Sequence, residues 1–144
     1  MRTKAFKVEQ YYYPSRRFQL LFYQVSHGEM IIRSHKNDTI RGINHNHTID
    51  IYFGDVVYME MPRNLNGIIF RRANDNDVKY LNTKIEQEIT EDEVVVIMSN
   101  QKEYYVVASV ISIIENDLSY MELPIHCFLH DNKWALRWKI DYRY

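Results

Sequence analysis

A stretch of fourteen residues occurs twice in this chain, and the repetition constrains the fold more than any other feature. Residues 49–62 align without a gap on residues 111–124, and seven of the fourteen positions are identical. Both copies end in the same motif, Tyr58-Met-Glu-Met-Pro62 and Tyr120-Met-Glu-Leu-Pro124. Similarity at a fixed spacing is typical of a repeated structural unit. We therefore expect two similar halves, residues 18–72 and 94–142, joined by an acidic connection over residues 73–93.

Alternation of apolar and polar side chains predicts that both halves are built from β-strands. The clearest case is the last strand, in which every second residue from Trp134 to Tyr142 is large and apolar. The predicted strands cover residues 18–25, 29–35, 48–53, 56–61, 68–72, 94–98, 104–114, 119–123, 125–130 and 134–142. Residues 1–17 are interpreted as an arm or edge segment, and residues 36–47 as a long polar loop. One short helix is placed near residues 83–89.

These elements predict one domain over residues 1–144, mainly β and antiparallel. A half of about four strands cannot bury its apolar face alone, whereas two halves packed together can. We therefore expect two pseudo-symmetric half-domains that form a sandwich or a strongly bent sheet.

The chain has the composition of a cytoplasmic protein. Cys127 is the single cysteine, so no disulfide can form within the chain. The N-terminal residues lack the apolar stretch of a signal peptide. The longest apolar run, residues 106–114, is too short to cross a bilayer. We expect a cytoplasmic location and no membrane contact.

No catalytic, cofactor or metal motif is present. His126 and Cys127 are neighbours on a predicted strand, so their side chains point to opposite faces and cannot form a dyad. His45 and His47 resemble a ligand pair, but no third ligand stands at a recognisable spacing. We therefore predict no catalytic residue, no metal site and no cofactor.

The charges are distributed unevenly along the chain, although the net charge is only −1. Residues 1–44 carry eight Lys and Arg against three Asp and Glu, whereas residues 45–131 carry six against fifteen. A local excess of acid steers basic partners during association. The predicted partner-binding residues come from the acidic connection: Asp75, Asp77, Tyr80, Glu86, Glu88, Glu91, Asp92 and Glu93. A solvated acidic linker is the competing interpretation of the same residues.

Two other kinds of site remain open. The repeated motif places Tyr58 and Glu60, and likewise Tyr120 and Glu122, on one face of each strand. A cleft between the half-domains lined by these four residues predicts a small-ligand binder or an enzyme. The run of tyrosines at 11–13, followed by two arginines at 16–17, is typical of single-stranded nucleic-acid binders. A sequence pI of about 6.6 argues against nucleic acid.

A small cytoplasmic β-rich protein with many tyrosines, a locally acidic surface and no catalytic motif resembles the bacterial immunity proteins that neutralise a cognate toxin. The stretch from Ile49-Asp-Ile-Tyr-Phe-Gly54 to Tyr58-Met-Glu-Met-Pro62 is also similar to sequences in small uncharacterised bacterial proteins. The resemblance implies a non-enzymatic protein whose acidic, aromatic surface occludes the basic active site of a toxin domain. It transfers no individual functional residue. The sequence leaves a homodimer open.

Overall fold

The computed structural model describes residues 12–25, 28–118, 121–122 and 138–141, and for the last four it describes the backbone alone. Within these residues the chain is mainly β, with one short helix. The strands are β1 (Tyr12–Gln24), β2 (Glu29–Ser34), β3 (Asn37–Asp38), β4 (Ile43–Asn44), β5 (Thr48–Gly54), β6 (Tyr58–Glu60), β7 (Asn64–Arg72), β8 (Val94–Ser99), β9 (Lys102–Val107), β10 (Val110–Asn116) and β11 (Trp138–Asp141). The helix α1 spans Asp75–Asn82, and a 3₁₀ turn spans Glu91–Glu93.

Nine of the described strands form one antiparallel sheet in the order β11-β10-β5-β2-β1-β7-β8-β9-β6. The short strands β3 and β4 pair only with each other, as a hairpin. In the described part of the chain β11 and β6 are the two edges, so the sheet is open. The prediction of a mainly β, antiparallel fold is confirmed.

One face of the sheet carries a single hydrophobic core. Buried residues from seven strands belong to the same cluster, and among them Phe18 in β1, Ile51 in β5 and Ile97 in β8 are wholly buried. Strands far apart in the sheet order therefore contact one another through their side chains, which requires the sheet to bend strongly around the core. The backbone N–H of Val57 also donates to the carbonyl of Val107, and Ser109 donates to Gly54, where the sheet turns back on itself.

The helix covers the outer face of β8 and β9. Leu81 of α1 packs with Ala73, Ile89, Val94 and Val96 in a second, smaller apolar cluster. The segment that sequence analysis assigned to a connection is therefore packed against the sheet. Its N-terminus is fixed by a capping box, in which Asn74 accepts from the N–H of Asp77 while the Asp77 carboxylate accepts from the N–H of Asn74.

The position predicted for the helix, residues 83–89, is wrong. The helix lies one segment earlier because Asn74 and Asp77 provide a start signal there. It ends at Thr83, whose hydroxyl donates to the carbonyl of Tyr80 at 2.6 Å. Residues 84–89 are turns and irregular chain, from which Ile85 and Ile89 reach the second cluster separately.

The single strand predicted over residues 104–114 is two strands, β9 and β10. The chain leaves β9 at Val107 and enters β10 at Val110, and the two strands lie in different parts of the sheet. Apolar residues continue through the break because Ala108 is buried in the main core. Hydrophobic pattern alone does not mark a break that lies inside the core.

Other predicted boundaries also change. The loop predicted over residues 36–47 contains the hairpin of β3 and β4, and β7 begins four residues earlier than expected. Met121 and Glu122, predicted within a strand, lie outside any strand. The strand predicted over residues 125–130, and the last predicted strand outside residues 138–141, lie outside the described residues.

The aligned segments of the repeat are direct neighbours in the sheet. Strands β5 and β10 pair so that Ile51 lies opposite Ile113, which is its own equivalent in the alignment. The two strands are therefore related by a local twofold axis through this pair. The flanking pairings differ, since β2 lies beside β5 whereas β9 does not lie beside β10. Duplication of the two halves stays a prediction.

Candidate functional site

Tyrosines and a carboxylate from three separate elements meet on the outer face of β6 and β9. Glu60 of β6 lies directly opposite Tyr105 of β9 in the sheet. The ring of Tyr80, from α1, lies 5.4 Å from the Tyr105 ring between centroids. The Tyr80 hydroxyl donates a hydrogen bond to Oε2 of Glu60. Tyr58 packs against the second apolar cluster, beneath the same surface. Tyr58 and Glu60 from the predicted cleft and Tyr80 from the predicted partner-binding segment therefore belong to one surface.

The electrostatics of this surface keep the tyrosines protonated. The hydrogen bond and negative charge of Glu60 raise the pKa of Tyr80 to about 12. Burial, followed by the charge of Glu60, raises the pKa of Tyr58. Burial and then the charge of Asp77 raise the pKa of Tyr105. The hydroxyls are neutral at physiological pH, and those of Tyr80 and Tyr105 donate hydrogen bonds to Glu60 and Asp77.

Asp77 is the anchor beneath this surface rather than part of it. Both of its carboxylate oxygens accept from the Arg71 guanidinium at 2.9 Å, and Oδ1 also accepts from the Tyr105 hydroxyl at 3.2 Å. The hydrogen bonds from Arg71 hold the pKa of Asp77 below its ordinary value. Asp77 is buried, so it positions α1 and Tyr105 and is not exposed to a partner.

The remaining predicted acids are exposed along the segment that carries α1 and the 3₁₀ turn. Asp75 and Glu91 lie close enough for a hydrogen bond between their side chains, which raises the pKa of Glu91. Glu86 and Glu88 are exposed in the chain that follows the helix. Glu93 is half-buried and accepts from the N–H of Thr90, so its role is to cap the 3₁₀ turn.

We define the acidic face by those predicted partner-binding residues of this segment that are exposed. They are Asp75, Tyr80, Glu86, Glu88, Glu91 and Asp92. The cations Lys79 and Lys84 are exposed in the same segment. Tyr80 is 37% exposed, and the ammonium group of Lys84 lies 5.5 Å from its ring centroid. The face therefore combines one accessible aromatic ring with a surrounding excess of negative charge.

The second predicted site, a cleft lined by Tyr58, Glu60, Tyr120 and Glu122, is not assembled by the described residues. Tyr58 and Glu60 belong to the surface beside α1, and Tyr120 lies outside the described residues. Next to Glu122, Met121 lines a different cleft of about 650 Å³. We call this the arginine cleft. Its lining residues are Arg17, Gln19, Leu20, Leu21, Arg33, His35, Asn37, Asp38, Thr39, Ile40, Arg63, Asn64 and Met121.

The aromatic and basic residues near the N-terminus have structural partners. Arg16 is buried and donates to Oγ of Ser34 at 3.1 Å and to the carbonyl of His47 at 2.7 Å. Tyr13 packs its ring against Phe18 in the core. Tyr11 lies outside the described residues. Tyr12 and Arg16 were both predicted to contact nucleic acid. Tyr12 is exposed, whereas Arg16 is buried and its guanidinium is used in hydrogen bonds within the protein.

The histidine pair is also accounted for by its surroundings. Burial, followed by the positive charge of Arg16, lowers the pKa of His45. Nε2 of His47 lies 3.4 Å from a carboxylate oxygen of Glu115. Across the described ranges, no group of three or more His, Cys, Asp or Glu side chains is placed to hold a metal ion. Cys127 lies outside those ranges.

Sequence reasoning missed several residues that shape these surfaces. Tyr105 and Arg71 complete the cluster around Asp77, but they come from β9 and β7, and no sequence spacing connects them to α1. Arg17 and Arg63 of the arginine cleft are likewise brought together only by the pairing of β1 with β7. Contacts of this kind depend on strand order, which the sequence pattern does not specify.

No family model, no curated protein and no solved structure matches this chain. The single helix within the described residues is neither long nor apolar enough to cross a membrane.

Proposed function

We propose that this protein is a non-enzymatic protein-binding module whose acidic face docks on a basic protein partner. The supporting observation is the position of Tyr80 within a negatively charged segment, where its hydroxyl donates to Glu60 and its ring packs against Tyr105 at an interplanar angle of 37°. A rigid, amphipathic aromatic side chain with an acidic surround fits the usual anatomy of a binding surface, in which aromatic anchors supply affinity and charge supplies steering.

Two carboxylates of the acidic face have no partner among the described residues. Glu86 and Glu88 have no side-chain ion pair or hydrogen bond within the described residues. Asp75 and Glu91 lie together despite their like charges, an arrangement that raises the pKa of Glu91. A cationic partner would reduce the repulsion between these two carboxylates, which is unfavourable in the free protein.

The finer part of the proposal is that the partner is a bacterial toxin domain and the protein its cytoplasmic immunity protein. A toxin that cleaves or binds nucleic acid carries a basic active site, because its substrate is a polyanion. An acidic face with a central tyrosine imitates such a substrate in both charge and stacking surface. The binding mode is stoichiometric occlusion, which requires no catalytic residue.

Affinity capture with three matched baits tests this proposal. The baits are the wild type, an acidic-face variant (Glu86→Gln, Glu88→Gln, Glu91→Gln) and a control with three exposed acids neutralised elsewhere (Asp55→Asn, Glu115→Gln, Asp117→Asn). We expect the wild type and the control to retain the same basic protein from the native host, at equal stoichiometry and with inhibition of that protein's activity. Retention by the acidic-face variant at the same level, or a captured protein whose activity is unaffected, would contradict the proposal.

A further inference from the structure

The arginine cleft lies on the outer face of the middle of the sheet, away from α1. Its floor is a row of paired residues across three strands, with Arg33 of β2 opposite Gln19 of β1, and Gln19 opposite Asn64 of β7. Arg17 lies two residues before Gln19, on the same face of β1. The register of β1 and β2 shifts at Leu21, and Leu20 and Leu21 both line the cleft although Leu20 also packs against the main core. The hairpin of β3 and β4 supplies one wall through residues 37–40.

The charges of the cleft do not cancel. Arg33 is neutralised by Asp50, with hydrogen bonds of 2.6 and 2.8 Å. Asp38 is held by Arg41, which donates from Nε at 2.6 Å and from its backbone N–H at 3.2 Å. Arg17 shares the Asp38 carboxylate with Arg41, and among the described residues the Arg63 side chain has no carboxylate partner.

Arg17 and Arg63 both have donor capacity directed at the cleft. The Arg17 side chain is mostly buried, with 17% exposed, and its Nε atom forms an ion pair of 3.5 Å with Oδ1 of Asp38. Its Nε atom is buried and makes no hydrogen bond to the described residues. Arg63 is exposed, and within the same residues its side chain has neither an ion pair nor a hydrogen bond. Buried donors of this kind are expected to meet an acceptor.

The rim of the cleft is apolar. Ile40 is 74% exposed and Met121 is 70% exposed, and both line the opening beside Leu20 and Leu21. Neighbouring apolar side chains left exposed at the mouth of a cleft mark a binding site more often than an isolated one does. A volume of about 650 Å³ also falls within the range usual for small-molecule sites.

We propose that the arginine cleft binds a small organic anion with a phosphate or carboxylate headgroup and an apolar or aromatic body. The headgroup accepts hydrogen bonds from Arg17 and Arg63, since guanidinium groups match both kinds of oxyanion in geometry and charge. The body lies against Ile40 and Met121. The amide of Asn64 on the floor is positioned to recognise a further polar group of the ligand.

Titration with phenyl phosphate, benzoate and phenol, followed by ¹H–¹⁵N NMR at constant ionic strength, tests the site. The three probes share an aromatic ring and differ in headgroup. We expect saturable shifts of amides in β1, β2 and β7, with at least one of the two anions binding at least about tenfold more tightly than phenol, because a hydrogen bond to a charged partner contributes roughly that factor. The tighter of the two anions identifies the headgroup as phosphate or carboxylate.

Variants separate a specific site from general attraction of anions. Arg63→Gln should weaken binding of the tighter anion about tenfold, for the same reason. The melting temperature should not change, because this side chain is exposed and has no ion pair or hydrogen bond among the described residues. Lys102→Gln, which removes an exposed cation outside the cleft, should leave binding unchanged, and so should the acidic-face variant. Equal binding of phenol, absence of saturable shifts, or an equal loss in Arg63→Gln and Lys102→Gln would each overturn the proposal.

Discussion

Asp50 lies in the middle of β5, wholly buried, and its carboxylate accepts hydrogen bonds from Arg33 and Asn116. Arg33 is directly opposite Asp50 on β2, so the pair links two neighbouring strands of the outer face. The Arg33 side chain is only 3% exposed. Removing one partner of a buried ion pair strands the other charge away from water, which costs far more than the net contribution of the pair.

Asp50→Asn should therefore lower the free energy of unfolding by about 3–5 kcal/mol. Urea denaturation monitored by circular dichroism measures this change. Asp55→Asn is the matched control, because Asp55 is exposed just past the end of the same strand and should shift stability by no more than about 0.5 kcal/mol. Equal stability of the two variants would show that the Arg33 charge is satisfied without Asp50.

The hydrogen bond between Tyr80 and Glu60 should contribute to stability in a way that depends on pH in the alkaline range. A folded-state pKa of about 12, above the ordinary value of 10, means that this contribution to stability is fully present below pH 10 and is lost as the pH rises through 12. Absorbance titration at 295 nm should show that Tyr80→Phe removes the component that ionises near pH 12. Glu60→Gln should move that component down toward pH 10, because it removes the negative charge. The wild-type titration minus that of Tyr80→Phe gives the ionisation of Tyr80 itself. A midpoint near pH 10 in this difference would contradict the hydrogen bond to Glu60.

At the scale of elements, the fit between β1 and β7 depends on one glycine. The register of these strands shifts between Tyr13 and Arg17, so β1 is bulged where it faces β7. Gly67 occupies this position with φ of +74°, and a Cβ atom built there would lie 2.6 Å from the carbonyl oxygen of Pro14. A side chain is thus opposed both by the backbone conformation and by the neighbouring strand.

Gly67→Ala should destabilise the protein more than Gly42→Ala does. Gly42 has a similar φ of +68° but open space around it, so its substitution carries only the conformational cost of about 1–2 kcal/mol. Gly67→Ala adds a steric overlap with the backbone, which should lower the free energy of unfolding by about a further 1–3 kcal/mol. Thermal and urea unfolding of the two variants measure the difference. Equal losses would mean that the bulge of β1 adapts to the added methyl group.

The strands were largely predictable from the sequence, while their boundaries and partners were not. Alternation in residues 29–34 and 48–53 correctly predicted two strands, because every second residue of each lies in the main core. The same reasoning merged β9 and β10, since the residues between them are also apolar or small and buried on one side. The helix was misplaced because the capping residues Asn74 and Asp77 carry more information than the apolar spacing of Ile85 and Ile89.

At the scale of the whole molecule, the strand order separates two surfaces of opposite charge. The helix and its acidic face cover β8 and β9 near one edge of the sheet, whereas the arginine cleft lies over β2, β1 and β7 at its centre. The basic N-terminal third and acidic middle of the sequence indicated this polarity. The cleft itself was not predictable, because Arg63 lies in the acidic part of the chain and joins Arg17 only through the fold.

Not all of the predicted partner-binding residues are exposed on the acidic face. Asp77 and Glu93 had the same composition signal as their neighbours, yet one is paired with Arg71 and the other caps the 3₁₀ turn. Within this segment, sequence reasoning did not distinguish acids that build the fold from acids that face solvent.

The most direct test of the proposed function is the association rate of the captured basic partner as a function of ionic strength, measured by stopped flow. For the wild type and for the control with Asp55, Glu115 and Asp117 neutralised, the rate should fall steeply as salt screens long-range attraction. The variant with Glu86, Glu88 and Glu91 neutralised should associate about tenfold more slowly at low salt, with a shallower salt dependence, because electrostatic steering accounts for a factor of that order. Identical rates and salt slopes for all three proteins would contradict a docking role for the acidic face.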